Sequence, residues 1–101
     1  MPAYLVADTR KIPAADQTPY EEYRKRVGDS IAEDGGRFLV RTDQLDIVEG
    51  AWRPTWLVII EFPTIEGLRS WYESDSYREL KALRLLSTEG DMVFVDGVAP
   101  A

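Results

Sequence analysis

Charged side chains interrupt two apolar segments of the chain. Ionisable groups in apolar surroundings are candidates for acid–base chemistry. Glu61 closes the apolar run WLVII at 56–60. It is a candidate general acid or base, because desolvation favours the protonated form of a carboxyl group. The alternative is an ion pair with Arg84 or Arg37 that fixes the strand end. Arg84 interrupts a leucine-rich helix face, so we expect its side chain to reach inward to a carboxylate.

Two further arginines, Arg37 and Arg41, are placed by simple alternation on one face of a strand, with Leu39 between them. Guanidinium groups so arranged could clamp an anion or a carboxylate. The alternative is a solvated edge, or ion pairs to the helices, because charged residues are mostly exposed. The residues alone leave both interpretations open.

Aromatic residues supply the other candidate ligand contacts. Trp52 lies in the connection EGAWRP at 49–54, and functional loops often carry side chains beside a pocket. Trp52 could equally cover the end of the core. Tyr72 and Tyr77 lie on predicted helices, where core packing is their ordinary role. Asp8 is a further candidate, because it shares a strand face with Val6.

Composition excludes several classes of chemistry. The chain has 101 residues and contains neither histidine nor cysteine, so thiolate metal sites, thiol nucleophiles and the usual haem and metal ligands are missing. We therefore expect no cofactor and no tightly bound metal. The net charge of -6 argues against nucleic acid and anionic membranes as partners. The N-terminus has no signal-peptide pattern and no apolar run could span a membrane, so we expect a cytoplasmic protein.

Periodicity and capping signals predict the strands and helices that carry these residues. Alternation predicts strands at 4–10 and 37–42, with 46–49 as a continuation of the second, and apolar runs predict strands at 56–62 and 92–96. A capping box from Thr18 to Glu21 begins a helix that ends at glycines 35 and 36. Thr64 caps a second helix, a further capping box from Ser76 to Glu79 restarts it, and Gly90 ends it.

This order predicts one α+β domain over residues 1–101. It is the ferredoxin-like βαββαβ pattern, a four-stranded antiparallel sheet with helices on one face. Strands 56–62 and 92–96 are apolar on both faces, whereas the helices can cover only one. We therefore expect a second copy of the chain to cover the other face, as a homodimer.

Segments spread over nearly the whole chain resemble the domain-of-unknown-function family 1330. They are GGRFLVR at 35–41, EGAWRP at 49–54, VIIEFP at 58–63, WYES at 71–74 with Tyr77, LR at 83–84 and VDG at 95–97. The family belongs to the dimeric α+β barrel superfamily, so the resemblance implies two ferredoxin-like units packed sheet to sheet. Superfamily members include cofactor-free monooxygenases, isomerases and haem proteins. Haem binding there usually uses histidine, which this chain lacks.

Two functional hypotheses follow. The first is a small-molecule site for an organic acid or similar metabolite, in a cleft between sheet and helices. Its candidate ligand-binding residues are Arg37, Trp52, Glu61, Tyr72, Tyr77 and Arg84, and its chemistry, if any, is proton transfer or cofactor-free oxidation with Glu61 as the catalytic candidate. The second is a non-catalytic dimeric module that acts through its surface. The sequence does not decide whether the protein is an enzyme.

Overall fold

The computed structural model of the chain describes residues 1–98. Seven elements follow one another: β1 (Ala3–Lys11), α1 (Thr18–Glu33), β2 (Arg37–Thr42), β3 (Leu57–Phe62), α2 (Ile65–Tyr72), α3 (Asp75–Ser87) and β4 (Thr88–Asp96). The strands form one sheet in the order β2-β3-β1-β4, and every neighbouring pair is antiparallel. The predicted ferredoxin-like α+β architecture is confirmed.

The three helices cover one face of this sheet, which we call the covered face. Alternate residues of β1 and β3 point into it, because successive side chains of a strand point to opposite sides. Opposite them the helices bury the ring of Trp71, which packs 4.1 Å from Tyr77 and 5.4 Å from Phe62, centroid to centroid. The core consists of Ala3, Leu5, Ala7, Val27, Ile31, Ile60, Phe62, Leu68, Trp71, Tyr77 and Leu80.

The opposite face, which we call the outer face, carries no helix. The Cα positions extend only 17 Å along the shortest principal axis, which corresponds to one sheet and one layer of helices. Val93 and Val95 of β4 project from this face and are 56% and 41% exposed. The predicted apolar second face therefore exists, and no other part of residues 1–98 covers it fully.

The helix ends follow the predicted chemistry with two shifts of position. The hydroxyl of Thr64 caps α2 by accepting a hydrogen bond from the Gly67 backbone N–H at 3.0 Å. Ser74, rather than Ser76, caps α3 by accepting from the Tyr77 N–H. The predicted Thr18 cap of α1 is also wrong, since the Asp16 carboxylate accepts from the Thr18 N–H instead. Helix α1 has Gln17 at its N-cap position and no side-chain capping hydrogen bond. In α3 the cap is two residues earlier than predicted, because Ser74 and Ser76 are both residues that can cap.

The chain leaves α1 through Gly35, whose φ of +85° matches the predicted glycine end of the helix. Two other boundaries differ from prediction. Residues 46–49 are not a strand, and α3 continues directly into β4 at Thr88, four residues before the predicted start. Gly90 therefore lies inside β4, where a Cβ would collide with the Asp8 carbonyl oxygen across the sheet.

No helix in the described part of the chain has both the length and the apolarity needed to cross a membrane. The cytoplasmic location stays a prediction.

Candidate functional site

The covered face contains a cleft that penetrates between the sheet and helices α1 and α3. We call it the arginine pocket. An inner cavity of about 40 Å³ continues into a mouth of about 540 Å³, and the two share Thr9, Tyr20, Arg24 and Trp56 as walls. The inner cavity is lined by Leu5, Ala7, Thr9, Tyr20, Tyr23, Arg24, Val27, Phe38, Arg41, Trp56, Val58, Ile60, Trp71, Tyr77, Arg84 and Met92. The inner cavity is thus mostly apolar, with three guanidinium groups and three phenols in its walls, and Arg10 and Lys11 line the mouth.

Arg84 enters this pocket from α3. Its Nε is buried and has no hydrogen-bond partner among the described residues. Desolvation acts to lower the pKa of Arg84, but the neighbouring oxygens of Tyr77 and Tyr23 outweigh it and the pKa is raised, so the group stays charged. The prediction that Arg84 reaches inward is correct. The prediction of a carboxylate partner is wrong, because the acidic candidate Glu61 lies on the outer face.

Two phenols face Arg84 across the cavity. The hydroxyls of Tyr23 and Tyr77 share a hydrogen bond of 3.1 Å, and the rings meet edge to face. Burial, with the adjacent Tyr77 hydroxyl, raises the pKa of Tyr23 far above its ordinary value. Tyr23 is therefore protonated near neutral pH and is not a base. Because one hydroxyl of the pair donates to the other, the pair has one O–H left to donate to a ligand.

The other two arginines are held against aromatic rings. The Arg24 guanidinium lies 5.8 Å from the centre of the Trp56 ring, and that of Arg41 lies 4.5 Å from the centre of Phe38. Neither makes an ion pair within residues 1–98. Stacking of this kind orients a guanidinium and leaves its N–H edge available for an oxyanion.

The charge in the pocket is strongly one-sided. Asp43, at the mouth, is the only acidic residue among the described residues that line either cavity. Burial raises the pKa of Tyr20, while Arg24, Arg41 and Arg84 all act to lower it, so the three cations converge on this hydroxyl. A cationic cleft in a protein of net charge -6 would concentrate small anions. It supplies hydrogen-bond donors and positive charge, but no general base in its interior.

Glu61 and Arg37 lie on the outer face, outside this pocket. Glu61 alternates with Ile60 and Phe62, which point into the core, and it lies between Tyr4 and Arg37 on the neighbouring strands. Its Oε1 accepts a hydrogen bond from Arg37 Nε at 2.9 Å. The predicted ion pair with Arg37 is therefore present. The Glu61 side chain is 23% exposed, so the carboxylate is mostly buried, whereas that of Arg37 is 71% exposed and lies largely in solvent.

Arg37 and Arg41 do not share a face, contrary to the prediction. The register of β2 against β3 shifts between Phe38 and Val40, so that Arg37 pairs with Glu61 and Arg41 pairs with Val58. This β-bulge inserts one extra residue and reverses the alternation that follows it. Arg41 therefore points into the arginine pocket, whereas Arg37 points outward.

Trp52 also belongs to the outer face. It is 60% exposed and borders a shallow depression with Val6, Asp8 and Val93. Asp8 anchors the loop that carries it, because its buried carboxylate accepts hydrogen bonds from the Thr55 and Trp56 backbone N–H groups at 2.8 and 3.4 Å. Asp8 is thus a structural residue of the loop and does not line the arginine pocket.

Tyr72 lies beyond Arg84, between α3 and β4. Its ring packs 5.4 Å from both Tyr77 and Phe94, and Lys81 lies 4.7 Å from its centre. It borders a separate cavity of about 200 Å³ that also touches Arg84. Of the six candidate ligand-binding residues, the structure places Tyr77 and Arg84 in the arginine pocket, Tyr72 beside it, and Arg37, Trp52 and Glu61 on the other face.

Sequence reasoning missed Arg24, Arg41 as a pocket residue, and the tyrosines of α1. Tyr20 and Tyr23 lie three residues apart, which is helical spacing for a packed face, and both are half-buried in the structure. Such spacing does not show that this face borders a cavity. No group of histidine, cysteine, aspartate or glutamate in residues 1–98 is arranged to hold a metal ion.

The sequence of the chain matches a known protein family. The family model described as "Domain of unknown function (DUF1330)" matches residues 2–98. A search of curated proteins finds no match.

Solved structures show the same fold. The RPA0582 protein of unknown function from Rhodopseudomonas palustris superposes with a TM-score of 0.76 at 16% identity, over 98% of this chain and 84% of that chain. Its methylated form gives 0.78 at 17% identity, over 98% and 82% of the two chains. SnoaB, a cofactor-independent oxygenase from Streptomyces nogalater, gives 0.65 at 10% identity, over 98% and 95%. At these identities the similarity shows the fold alone.

Proposed function

The chain belongs to the DUF1330 family, and we propose that it binds a small organic acid, or the enolate of one, in the arginine pocket. One observation carries this proposal: Arg84 is charged, its Nε is buried, and no acidic side chain in the pocket interior neutralises it. A buried donor without an acceptor is costly. An oxyanion placed against Arg84 Nε and the tyrosine pair would remove that cost.

The pocket has the composition of a ligand site. Its mouth of about 540 Å³ falls in the usual range for small-molecule sites, which are apolar with a few converging polar groups. Trp56 and Phe38 offer ring faces for an unsaturated body, and the arginines offer charge. We propose binding and charge stabilisation rather than proton abstraction, because Glu61, the candidate base, lies on the opposite side of the sheet. The structural neighbour SnoaB is a cofactor-independent oxygenase, but the likeness extends to the fold only.

A thermal-shift screen with small carboxylates and phenols tests this proposal. A ligand of the native state should raise the unfolding midpoint progressively as its concentration exceeds the dissociation constant. Arg84→Met preserves length and removes the charge, and it should weaken binding by at least about tenfold.

Arg69→Met is the matched control. Arg69 is exposed on α2 and lines none of the cavities, so its loss changes the net charge equally but should leave binding unchanged. Failure of every carboxylate to raise the midpoint, or undiminished binding by Arg84→Met, would contradict the proposal.

We also propose that a second copy of the chain covers the outer face, as a homodimer. The strand registers place Val40, Ile59, Val6 and Val93 side by side across this face, and Val93 and Val95 are exposed, a kind of apolar surface that soluble monomers rarely present. A two-fold arrangement would place this surface against itself and bury on the order of 2,000 Å² in total.

Light scattering coupled to size exclusion tests the dimer. The native protein should have about twice the chain mass of 11.5 kDa, and Val93→Asp should release monomers because it buries a charge in the contact. Val48→Asp is the control, since Val48 is 84% exposed on a loop. A native mass of one chain would overturn this proposal and leave the ligand proposal standing.

A further inference from the structure

We propose that Asp8 is a positioning residue of the arginine pocket. From the outer face it fixes the backbone of Trp56, whose ring forms a wall of the pocket on the covered face. This role rests on the proposed ligand site. It assigns control of ligand binding to a residue that does not touch the ligand.

Trp56 occupies a central place in the walls of the pocket. It lines both the inner cavity and the mouth, so the position of its ring helps to set the shape of both. The Arg24 guanidinium lies 5.8 Å from the centre of this ring. A displaced Trp56 would therefore change the shape of the pocket and the surface that faces Arg24.

Trp56 directly precedes β3 and is not itself part of the strand. Residues 43–56 join β2 to β3 without a helix or a strand, and irregular connections of this length are uncommon in compact domains. The register of β1 against β3 ends at Asp8 and Leu57. The position of Trp56 thus depends on the contacts that hold the end of this loop.

Asp8 provides two of the three hydrogen bonds that the structure describes between this loop and β1. Its Oδ1 accepts from the backbone N–H groups of Thr55 at 2.8 Å and Trp56 at 3.4 Å. The third is donated by the Thr9 N–H to the Trp56 carbonyl oxygen at 3.0 Å. The Asp8 side chain is 3% exposed, and its Oδ2 accepts from Arg10 at 3.0 Å. Because hydrogen bonds to an ionised acceptor are stronger than neutral ones, this buried carboxylate is a firm anchor.

The anchor acts across the sheet because the backbone lies between the two faces. Asp8 and Leu57 oppose one another in register on the outer face. Trp56 continues the alternation of Val58 and Ile60, which line the inner cavity. A side chain on one face therefore determines where a side chain of the other face is held.

A purely stabilising role for Asp8 makes a different prediction. It would lower the unfolding midpoint of an Asp8 variant and leave the ligand affinity of the folded molecules unchanged. Positioning lowers the affinity itself, and it does so only while Trp56 is present.

Isothermal titration with 2-naphthoate distinguishes the two roles, at a temperature where thermal denaturation shows each variant to be folded. This probe has a carboxylate for the inner cavity and fused rings that extend into the mouth. Trp56→Ala and Asp8→Ala should each weaken binding by about tenfold, because an aromatic contact is removed or displaced. The double variant should bind no more weakly than Trp56→Ala alone, since two residues that act through one contact are not additive.

Two further variants separate the loop anchor from the charge. Asp8→Asn keeps an oxygen that can accept from the loop, so it should retain most of the native affinity. Asp91→Ala is the matched control, because Asp91 lies opposite Asp8 in β4, is 3.5 Å from Arg10 and is 84% exposed. Its loss should leave the affinity unchanged. Asp8→Ser, whose side chain is too short to span the same distance, replaces Asp8→Ala if the latter does not fold.

The outcomes separate this role from the ligand proposal. Undiminished affinity of folded Asp8→Ala, or a further loss when it is combined with Trp56→Ala, overturns the positioning role and leaves the ligand proposal standing. Equal losses in Asp8→Asn and Asp8→Ala, or in Asp91→Ala, also overturn it, because charge rather than the loop anchor would then be responsible. Absence of 2-naphthoate binding by the native protein overturns the positioning role, and the wider carboxylate screen then decides the ligand proposal separately.

Discussion

Both faces of the sheet carry arginines, but they differ in whether a carboxylate balances the charge. On the outer face Arg37 is paired with Glu61, and Arg10, at the mouth of the arginine pocket, is paired with Asp8 and Asp91. Arg24, Arg41 and Arg84 line the inner cavity on the covered face and make no ion pair within the described residues. The cations of the inner cavity therefore lack the carboxylate partners that Arg37 and Arg10 have. Ligand binding is therefore expected on the covered face and self-association on the outer face.

The two tryptophans test this division most strongly. Trp71 is 1% exposed on the covered face and its Nε1 donates to Ser30 Oγ at 3.0 Å, so Trp71→Ala should reduce the free energy of unfolding by about 3–5 kcal/mol. Trp52→Ala on the outer face is the matched change. Urea denaturation should show that any loss there depends on protein concentration, since it would act through association. Equal, concentration-independent losses would contradict the division.

Two glycines test how tightly the side chains on the covered face are packed. A Cβ on Gly36 would come within 2.7 Å of the Phe62 ring and 2.8 Å of the Ile31 side chain, both fully buried. Gly36→Ala should therefore cost about 1–3 kcal/mol of stability through overpacking. Gly28→Ala, on the open side of α1 with no atom within 4 Å, should instead stabilise by up to about 1 kcal/mol. A stable Gly36→Ala protein in thermal denaturation would show that the covered side can rearrange.

Alkaline pH provides a test that concerns Tyr23. Burial raises the pKa of Tyr23 above its ordinary value of 10.0, so the folded protein holds this proton more tightly than the unfolded chain. Its contribution to stability is complete below the unfolded pKa. It is lost as the pH rises above that value, by about 1.4 kcal/mol per pH unit.

Tyr23→Phe should therefore reduce the slope of unfolding free energy against pH above 10.0. The comparison uses slopes, because the lost hydrogen bond to Tyr77 lowers stability at every pH. Identical slopes in the two proteins would mean that Tyr23 ionises freely in the folded state.

The smallest effect is expected for the ion pair of the outer face. Because Arg37 is 71% exposed, Glu61→Gln should cost less than about 1 kcal/mol, and the loss should shrink in high salt. A fully buried pair would cost several times more. A large, salt-independent fall in the thermal midpoint would show that the second copy of the chain, or another partner, buries this pair.

Much of the fold could be predicted from the sequence because its signals are local. Alternation and apolar runs located all four strands. Thr64 caps the start of α2, and Gly35 adopts a positive φ at the end of α1, as their residue types predict. The errors also have local causes. Ser74 and Ser76 compete for one cap, and α3 continues into β4 without a turn that composition could mark.

The candidate site was predicted only in part, because its members come from distant elements. Arg84 and Tyr77 were identified by their positions on α3, but the orientation of each helix decided what they face. The bulge between Phe38 and Val40 directs Arg41 into the pocket. No residue type in the segment GGRFLVR predicts a bulge. Glu61 was correctly paired with Arg37, yet the side of the sheet they occupy depends on the registers of β1 and β2 against β3.

The sequence by itself determined the element types, the apolar faces of the central strands and the lack of histidine and cysteine ligands. These follow from residue identity and from periods of two or about 3.6 residues. The tertiary structure alone decided which charges meet a carboxylate and which line a cavity. The physical reason is register: a strand shifted by one residue presents its other set of side chains to the helices, and only packing between distant segments fixes that shift.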